Sequence, residues 1–410
     1  MNRKRTANPP DLLSSMEESK GEQTTATDAQ KSPTLPASVI VNVLSKLPAR
    51  SLFRFRLLSR NYLNLIHSPD FIAAHARDSC LNRAGLLLLA ESLSCPVASF
   101  LPPAIPDNSC GGGTSIEQLK NTGGASDFPL PFLKGYGQFG VRPSLRFAGS
   151  FTGLVCLILH RWGEYWVLWN PATSQFSFAP PPILPQDDCF CNRESPHRVL
   201  VGFGYDSEAS DYKSVRVCWW QDGGSGVQVE VLSWVKRSWT QIQDRSFQTI
   251  LTLNRKGTWS FPDPPLATSN GGVYWMDTIT GMVLCFKLHD EKLEWISTPY
   301  PADSPKWSVL STISVWKGSL AMFVLTVQDS LLSVCLFDEG DSSWSTLLTI
   351  PMLGSPCIPE AIWRVNGCNL FLLYINCVTC DSEGGILKLP FEEISRAFEF
   401  AETLVPIPGC

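Results

Sequence analysis

The sequence has little charge, few histidines and no long apolar run. Only 17% of its 410 residues are Asp, Glu, Lys or Arg, and five are His. No apolar run approaches the roughly 20 residues that a membrane-spanning helix needs. The formal net charge of −5 argues against a nucleic-acid-binding face that depends on bulk positive charge. We therefore expect neither a membrane nor a nucleic acid among the partners.

Sequence signatures of catalysis and of metal binding are also lacking. The Gly-x-Ser-x-Gly motif of the common nucleophile elbow is absent, and Gly202-Phe203-Gly204 lacks the third Gly and the following helix of a dinucleotide-binding loop. Cys377 and Cys380 form a lone Cys-x-x-Cys, whereas structural zinc sites usually need a second pair. No His pair has metal-ligand spacing with Cys or carboxylate neighbours. We expect no catalytic residue, no metal site and no cofactor.

The beginning of the chain has no secretory signal to accompany its many cysteines. The opening residues MNRKRTANPP are basic but have no apolar run behind them. The 14 Cys are scattered, and several lie inside apolar runs, as Cys156 does. We interpret them as reduced, buried residues of an intracellular protein, cytoplasmic or nuclear. Residues 1–32 are polar and rich in Ser, Thr and Glu, so we expect a disordered tail there.

Most of the remaining chain is typical of β-strands joined by turns. Few charges combined with many aromatic residues, 14 Trp and 22 Phe among them, favour a large sheet-rich body. Gly85–Ala90 is a first apolar run, and from Phe147 onward apolar runs alternate with turns. Glycines before strands recur at Gly272, Gly318 and Gly367, in steps of 46 and 49 residues. These steps are near the kelch repeat of roughly 50 residues.

A repeat of this kind predicts a β-propeller. The glycine permits a tight turn, two or three strands follow, and a late Trp or Phe packs between neighbouring sheets. Because one four-stranded sheet cannot cover both of its faces, the sheets stack around an axis, and about six or seven would fit the length. The early strands near Leu86 to Phe100 can pair with the last strands and so close the ring. Residues 102–140, rich in Gly and Pro, are predicted to be long loops. A β-sandwich is the competing architecture.

The stretch from Leu35 to His75 has a helical pattern throughout. Apolar residues recur at helical spacing from Val39 to Leu47 after Ser38, the predicted cap. Pro48 ends this helix because proline cannot continue the hydrogen-bond ladder. Four short helices carry more apolar surface than so small a bundle can bury. We therefore expect them to bind another chain or the rest of their own.

Three more helices are predicted in the same stretch. The second covers residues 49–58, and the third includes Tyr62 to Ile66. Ser68-Pro69-Asp70 has the residues of a fourth start, with Ser at the cap, Pro at the first position and an acid in the first turn.

This helical stretch resembles an F-box. The family pattern is roughly Leu-Pro, a hydrophobic helix, a second Leu-Pro, Ser-Leu, Phe-Arg, Leu-Ile and Ser-Pro-x-Phe. The matching positions are Leu35-Pro36, Val39-Ile40, Val43-Leu44, Leu47-Pro48, Ser51-Leu52, Phe55-Arg56, Leu65-Ile66, Ser68-Pro69 and Phe71. Ser59 and Tyr62 depart from the pattern, which commonly has Cys and Trp there, without removing an apolar anchor. A helical bundle that only caps a larger domain is the alternative.

The chain after it resembles the F-box-associated interaction domain of the large plant F-box family. The segments that carry this resemblance are residues 149–156, 168–173, 201–206, 211–217, 229–233 and 238–239. Together the two resemblances imply an α+β protein with a small all-α module and an all-β, propeller-like domain. The expected boundaries are 1–32 for the tail, 33–76 for the F-box and 84–405 for the propeller-like domain.

The resemblance implies the substrate-recognition subunit of a Skp-cullin-F-box ubiquitin ligase, with no catalytic group of its own. The F-box would dock on a Skp-type adaptor and through it a cullin, and the β domain would bind a target protein. The residues expected at the adaptor are Leu35, Pro36, Val39, Ile40, Leu44, Leu47, Pro48 and Leu52. Two alternatives remain open. One is a scaffold that binds the adaptor without a degraded target, and the other is a propeller enzyme, which would need clustered metal ligands or paired carboxylates.

Truncation of Ile40 or Leu44 to Ala should weaken adaptor binding by about 2 kcal/mol, the scale of interface hot spots. The measurement is co-purification of the adaptor with a chain that carries both substitutions. Full co-purification by this double variant would contradict the F-box assignment.

Overall fold

A computed structural model gives four α-helices followed by 24 β-strands in the part of the chain that it describes. The described residues are 36–90, 97–101, 126–134, 144–160, 163–184, 198–219, 227–243, 266–277, 281–299, 309–316, 318–351, 359–365, 368–373, 378–380, 386–388 and 394–409. None of the helices in these ranges has the length and apolar character needed to cross a membrane.

The helices lie together at the beginning of the described chain. They are α1 Ala37–Ser45, α2 Ala49–Phe55, α3 Arg60–Ile66 and α4 Pro69–Asn82. The predicted start of the fourth helix is confirmed, because the Ser68 hydroxyl accepts a hydrogen bond from the Phe71 amide at 3.4 Å. Pro69 and Asp70 occupy its first turn. A Ser side chain at this position satisfies an amide that has no partner within the helix.

Two helix ends differ from the sequence prediction. The first helix begins at Ala37, so Ser38 lies inside it and does not cap it. The second helix ends at Phe55 and not at residue 58, because the amides of Leu57 and Leu58 bond to carbonyls only three residues back. Such tight turns at helix ends satisfy the last carbonyls locally.

The strands form six four-stranded antiparallel sheets in the described residues. The strands are β1 Gly85–Ala90, β2 Val97–Leu101, β3 Ser126–Phe128, β4 Ser144–Phe151, β5 Leu154–His160, β6 Glu164–Asn170, β7 Gln175–Phe178, β8 Arg198–Asp206, β9 Asp211–Trp219, β10 Val227–Ser233, β11 Ser238–Ile242, β12 Leu266–Ser269, β13 Gly272–Met276, β14 Val283–Lys287, β15 Lys292–Ile296, β16 Val309–Trp316, β17 Ser319–Thr326, β18 Leu331–Asp338, β19 Ser343–Pro351, β20 Pro359–Val365, β21 Cys368–Leu373, β22 Val378–Cys380, β23 Ile386–Lys388 and β24 Ile394–Phe400. Five sheets use four consecutive strands each, and the sixth has the order β24-β1-β2-β3.

The six sheets are arranged as a closed ring. One strand of each sheet faces the centre, and these inner strands are β24, β4, β8, β12, β16 and β20. Each inner strand contacts the next, and β20 contacts β24. This radial order is that of a six-bladed propeller, so the competing sandwich architecture is wrong. The predicted fold class, a small helical module followed by a propeller-like β domain, is confirmed.

The ring is closed by the last described strand, which pairs with the first. Gly85 pairs with Phe400 and Leu87 with Phe398 across the antiparallel β24–β1 ladder. The Phe400 ring packs against Phe100 of β2 and Phe128 of β3, with centroids 5.6 and 5.8 Å apart. The predicted pairing of early with late strands is therefore confirmed. The prediction of loops throughout residues 102–140 is wrong for β3, a strand too short to produce an alternating pattern.

The glycine spacing in the sequence corresponds to one blade. Gly272 begins β13 and Gly318 immediately precedes β17, which are the second strands of successive sheets. Gly367 lies outside the described residues, but the next second strand begins one residue later, at Cys368. Steps of 46 and 49 residues thus carry the chain from one sheet to the next. The propeller prediction was correct because a repeated unit produces a repeated sequence pattern.

Tryptophans on the last strand of a sheet contact the preceding sheet, as the repeat predicts. The Trp239 indole of β11 donates to the Pro180 carbonyl at 2.9 Å, and the Trp344 indole of β19 donates to the Ser297 carbonyl at 2.8 Å. Each acceptor follows the outer strand of the preceding sheet. An aromatic ring with one polar edge can fill an apolar gap while its N–H is satisfied.

A buried ionic group joins the β4–β7 sheet to the β8–β11 sheet. Arg216 is fully buried, and its guanidinium lies 2.9 Å from Glu164 and 2.9 Å from Glu230. Glu230 also accepts the amides of Ile183 and Leu184, each at 3.0 Å. Burial alone lowers the pKa of Arg216, but its acidic neighbours and hydrogen bond more than offset this and raise it. Removal of one partner from such a group would leave a buried charge uncompensated.

The cysteine side chains that the structure describes carry free thiols. Cys156, Cys218, Cys285 and Cys335 are buried, and Cys80 is partly buried. Burial raises the pKa of the Cys156 and Cys285 thiols to about 12. These cysteines therefore act as small apolar core residues, as the sequence indicates.

Replacement of Phe400 by Ala should lower the free energy of unfolding by about 3–5 kcal/mol, because it empties the aromatic cluster that holds the ring closed. Urea unfolding of the full chain measures this effect. The control is Phe178→Ala on the outer strand β7, where the side chain is 37% exposed. Equal losses for the two variants would contradict a special role for the closing strand.

Candidate functional site

The residues predicted to contact an adaptor differ in how far they reach the surface. Pro36, Val39 and Pro48 are exposed, Ile40 and Leu47 are partly buried, and Leu44 and Leu52 are buried. Leu35 lies outside the described residues. Leu44 is 7% exposed and Leu52 is not exposed, so in this structure both serve the chain's own core and not an open surface. Docking through the exposed members stays a prediction.

The helices have a small core of their own. Ala49 and Leu52 of α2, Ile66 of α3 and Phe71 of α4 are all less than 4% exposed. The helices therefore bury among themselves part of the apolar surface that was expected to need a partner. Truncation of Leu44 to Ala would test packing as well as docking, because removal of a buried leucine side chain leaves a cavity.

The side chains of His75 in α4 and of Arg83, which follows α4, satisfy carbonyl groups at and after the end of α1. The His75 Nε2 atom lies 2.9 Å from the Leu47 carbonyl oxygen. Arg83 donates to the Ser45 carbonyl at 3.0 Å and pairs with Asp78 at 3.2 Å. The last carbonyls of a helix have no partner within the helix and need one from outside. Burial lowers the pKa of His75, so the neutral imidazole is the form that makes this contact.

Arg50 of α2 joins the helices to the propeller. Its guanidinium pairs with Glu402 at 3.0 Å and lies 4.2 Å from the centre of the Phe128 ring of β3. Burial raises the pKa of Glu402, and the charges of Arg50 and Arg83 only partly counteract this. The ion pair is therefore partly desolvated, and the aromatic contact adds to it.

The segment that carries Glu402 follows β24 directly and is bound to the propeller on its other side. Thr403 donates its hydroxyl proton to the Thr152 carbonyl at 2.8 Å. The Asn170 amide donates to the Thr403 and Val405 carbonyls at 3.2 and 2.8 Å. Residues 401–407 thus lie between the helices and the sheets and contact both.

Glycine is required beneath this segment. Gly153 has φ +80°, and a Cβ atom at this position would collide with the Thr403 side chain and the Ala401 carbonyl. A residue with a side chain would be strained in this backbone conformation and would displace the segment.

A cavity of about 930 Å³ opens beside the end of α4 at the centre of the ring. Its walls are the ends of β4, β8, β12, β16 and β24 together with Cys80, Leu81 and Asn82. Stacked rings lie along it, Phe147 with Phe398 at 4.2 Å and Phe151 with Tyr205 at 5.5 Å. In the described residues no three His, Cys, Asp or Glu side chains come together as a metal site. This geometry offers an aromatic contact surface.

Comparison with known families agrees with this architecture. Residues 138–373 match the family model of the F-box associated beta propeller domain. Residues 33–73 match that of the F-box domain. The chain belongs to the F-box proteins with an F-box-associated propeller. Both resemblances inferred from the sequence are thereby confirmed.

Similar F-box proteins are found in Arabidopsis thaliana. F-box protein CPR1 is 25% identical over 77% of this chain and 73% of its own length. F-box/kelch-repeat protein At3g23880 is 24% identical over 78% of this chain and 80% of its own length. Among solved structures, TolB from Acinetobacter baumannii aligns over 78% of this chain and 66% of its own at 8% identity, with a TM-score of 0.36. A match with so low a TM-score supports no conclusion about this chain.

The F-box match and the propeller match leave some of the described strands uncovered. The F-box match includes α1, α2 and α3 and ends within α4. The propeller match runs from β4 to β21. The closing sheet of this F-box protein, β24-β1-β2-β3, lies outside both matches. Its assignment to the ring therefore rests on the structure.

Several residues that organise this F-box protein were not found from its sequence. Arg50 has no local sequence signal for its role, because its ion pair with Glu402 spans most of the chain. The Asn170 side chain accepts the amides of Ala172 and Thr173, which is a local contact within a turn. Its second role, as donor to residues 403 and 405, has no local signal because the partners are more than 230 positions away.

His75 should make the stability of this F-box protein sensitive to acid. Because burial depresses the pKa of His75 in the folded state, its contribution to stability is full above the ordinary value of 6.5. That contribution is lost as the pH falls, since the unfolded chain then binds a proton that the folded chain does not. Between pH 7 and pH 5 the wild type should lose stability relative to His75→Gln in urea unfolding.

The matched control is His67→Gln, which changes an exposed histidine of the same module. This control should follow the wild type at both pH values. An equal relative gain in the two variants on acidification would show that burial of His75 is not the cause.

Proposed function

We propose that this F-box protein is the substrate-recognition subunit of a Skp-cullin-F-box ubiquitin ligase. The observation that carries the proposal is the presence of an F-box match and an F-box-associated propeller match in one chain. F-box domains typically bind Skp-type adaptors, and the associated propellers bind targets. The protein would hold a target near a charged ubiquitin-conjugating enzyme and contribute proximity instead of a reactive group.

Exposed apolar residues of α1 support docking of an adaptor. Val39 is 40% exposed and Val43 is 55% exposed, and Pro36 and Pro48 are also at the surface. Apolar side chains exposed on a short helix are typical of a surface that a second chain covers. The proposed adaptor contacts are therefore Pro36, Val39, Ile40, Leu47 and Pro48, with Leu44 and Leu52 as packing beneath them.

The attachment of the helices to the propeller supports a receptor role. Arg50, Glu402 and Phe128 link α2 to the β domain, so that a target bound to the propeller would be carried on the same compact unit as this part of the F-box. We place the protein in the cytoplasm or nucleus, where a ubiquitin ligase of this kind would act. The target is a protein, and the cavity at the ring centre is one surface available to it.

Replacement of Val39 by Glu should remove the adaptor and the cullin from the purified complex. A charge at an exposed contact residue disfavours an apolar interface without disturbing the core. We would purify the tagged full chain as wild type, Val39→Glu and Val235→Glu, and quantify co-purifying proteins by mass spectrometry. Val235 is the control because it is 58% exposed in the turn between β10 and β11.

We expect adaptor and cullin with the wild type and Val235→Glu, at least about tenfold less of both with Val39→Glu, and target proteins with all three. Equal recovery by the two variants would contradict docking through Val39. Absence of adaptor and cullin from all three would contradict the ubiquitin-ligase function. Target abundance in cells should rise with Val39→Glu, and an unchanged level would favour a non-degradative scaffold.

A further inference from the structure

The central cavity, the space of about 930 Å³ beside the end of α4, has the size and the aromatic walls of a small-molecule site. Sites for small organic molecules typically enclose about 300–1,000 Å³ and are lined by apolar and aromatic side chains with a few polar groups. Here the two stacked pairs Phe147–Phe398 and Phe151–Tyr205 all line the cavity. Flat apolar rings of a ligand pack well against such side chains.

One buried polar side chain in the cavity wall has no partner. Thr312 lies on the inner strand β16 and is 8% exposed, and its hydroxyl forms no hydrogen bond among the described residues. The other two buried polar residues of the described wall are satisfied, because Thr268 donates to the Phe203 carbonyl at 2.8 Å and Ser269 donates to the Gly318 carbonyl. Buried hydroxyls normally have a partner, since the loss of water is otherwise uncompensated. The Thr312 hydroxyl is therefore available to a bound molecule.

Two partly exposed hydroxyls extend the polar part of the wall. Ser314 lies two residues after Thr312, on the same face of β16, and Ser150 lies on β4. The hydroxyl of neither forms a hydrogen bond among the described residues. Each hydroxyl can both donate and accept. The cavity thus combines aromatic rings with three hydroxyls that its own chain does not use.

The charges of the cavity wall balance one another. Among the described lining residues the charged side chains are Arg396 and Glu399 of β24, which have opposite signs. Both already interact with other groups of the chain. A charged ligand would lose its water here without gaining a counter-charge of its own, which is strongly unfavourable. The wall therefore favours an uncharged ligand.

The number of free hydroxyls also favours a small molecule over a protein segment. An extended segment brings one backbone N–H and one C=O with nearly every residue, and each needs a partner when water is removed. Three hydroxyls would satisfy only a few of these groups. A ring compound with one or two oxygen atoms matches this supply much better.

We propose that the central cavity binds a small uncharged ring compound that carries hydroxyl or carbonyl oxygens. Its rings lie against the stacked aromatic pairs, and its oxygens form hydrogen bonds with Thr312 and Ser314. The bound compound also reaches Leu81 and Asn82 at the end of α4, which line the cavity together with the inner strands. This site goes beyond the proposed function, because docking of an adaptor does not require it.

The test uses the full chain and two photoreactive probes that differ in charge. The neutral probe, 4-hydroxymethylbenzophenone, has two rings, a carbonyl and a hydroxyl. The charged probe, 4-benzoylbenzoate, has the same rings and carbonyl with a carboxylate. Each probe is titrated under ultraviolet light, and the labelled peptides are identified by mass spectrometry. Thermal unfolding of each variant is measured in parallel.

Two substitutions in the cavity are each matched by a control on the outer strand β11. Ser314→Phe fills the cavity, and its control is Ser238→Phe, where the serine is exposed. Thr312→Val removes the hydroxyl and keeps the shape of the side chain, and its control is Thr240→Val, where the threonine is exposed.

We expect the neutral probe to label β4 and β16 saturably, and the charged probe to label them at least about tenfold less. Ser314→Phe should reduce labelling at least about tenfold, because it occupies the space of the ligand. Thr312→Val should reduce it about threefold to tenfold, the effect of one lost hydrogen bond, without lowering the melting temperature. Both controls should stay within about twofold of the wild type.

Three results would overturn the inference. The first is equal labelling of the wild type and Ser314→Phe, or equal labelling by the two probes. The second is a lower melting temperature for Thr312→Val, which would show that the hydroxyl serves the fold. The third is labelling that does not saturate, together with loss of target proteins from tagged Ser314→Phe in affinity purification. In that case the cavity holds a segment of a target protein, and the proposed function stands.

Discussion

The pairing of β24 with β1 is the contact on which the rest of the structure depends. A propeller built from consecutive four-stranded sheets has two open edges until its last strand joins its first sheet. Here Phe400 is paired with Gly85, and its ring is packed between Phe100 and Phe128. Backbone hydrogen bonds and a buried aromatic cluster act together at this junction. The ring therefore closes through residues from opposite ends of the folded chain.

The closing sheet also carries the connections to the helices. The chain passes from α4 into β1 within three residues, and from β24 into the segment that bears Glu402 and Thr403. Glu402 contacts Arg50 of α2, while Thr403 contacts the turn after β4. Adjacent residues of one extended segment thus contact different partners, because successive side chains of an extended backbone point in opposite directions. This segment makes α2 to α4 and the propeller parts of one compact unit.

The arginines of this protein occur in two different environments. In the interior, Arg216 is matched by Glu164 and Glu230, because an uncompensated buried charge is very unfavourable. On the α2–α3 turn, arginines lie in solvent without acidic partners among the described residues, where water makes this tolerable. The first arrangement contributes to the fold of the protein by itself.

Local patterns in the sequence determined the helices and the repeat, because each depends on a few neighbouring residues. Pro48 lies between α1 and α2, Ser68-Pro69 begins α4, and the glycine steps of 46 and 49 residues correspond to single blades. The tertiary structure alone decided that the blades number six in the described chain, that Leu44 and Leu52 are buried, and that Arg50 meets Glu402. The same apolar stripe can serve a core or a partner, and periodicity does not distinguish them. Contacts between residues hundreds of positions apart leave no local pattern, so only the folded chain reveals them.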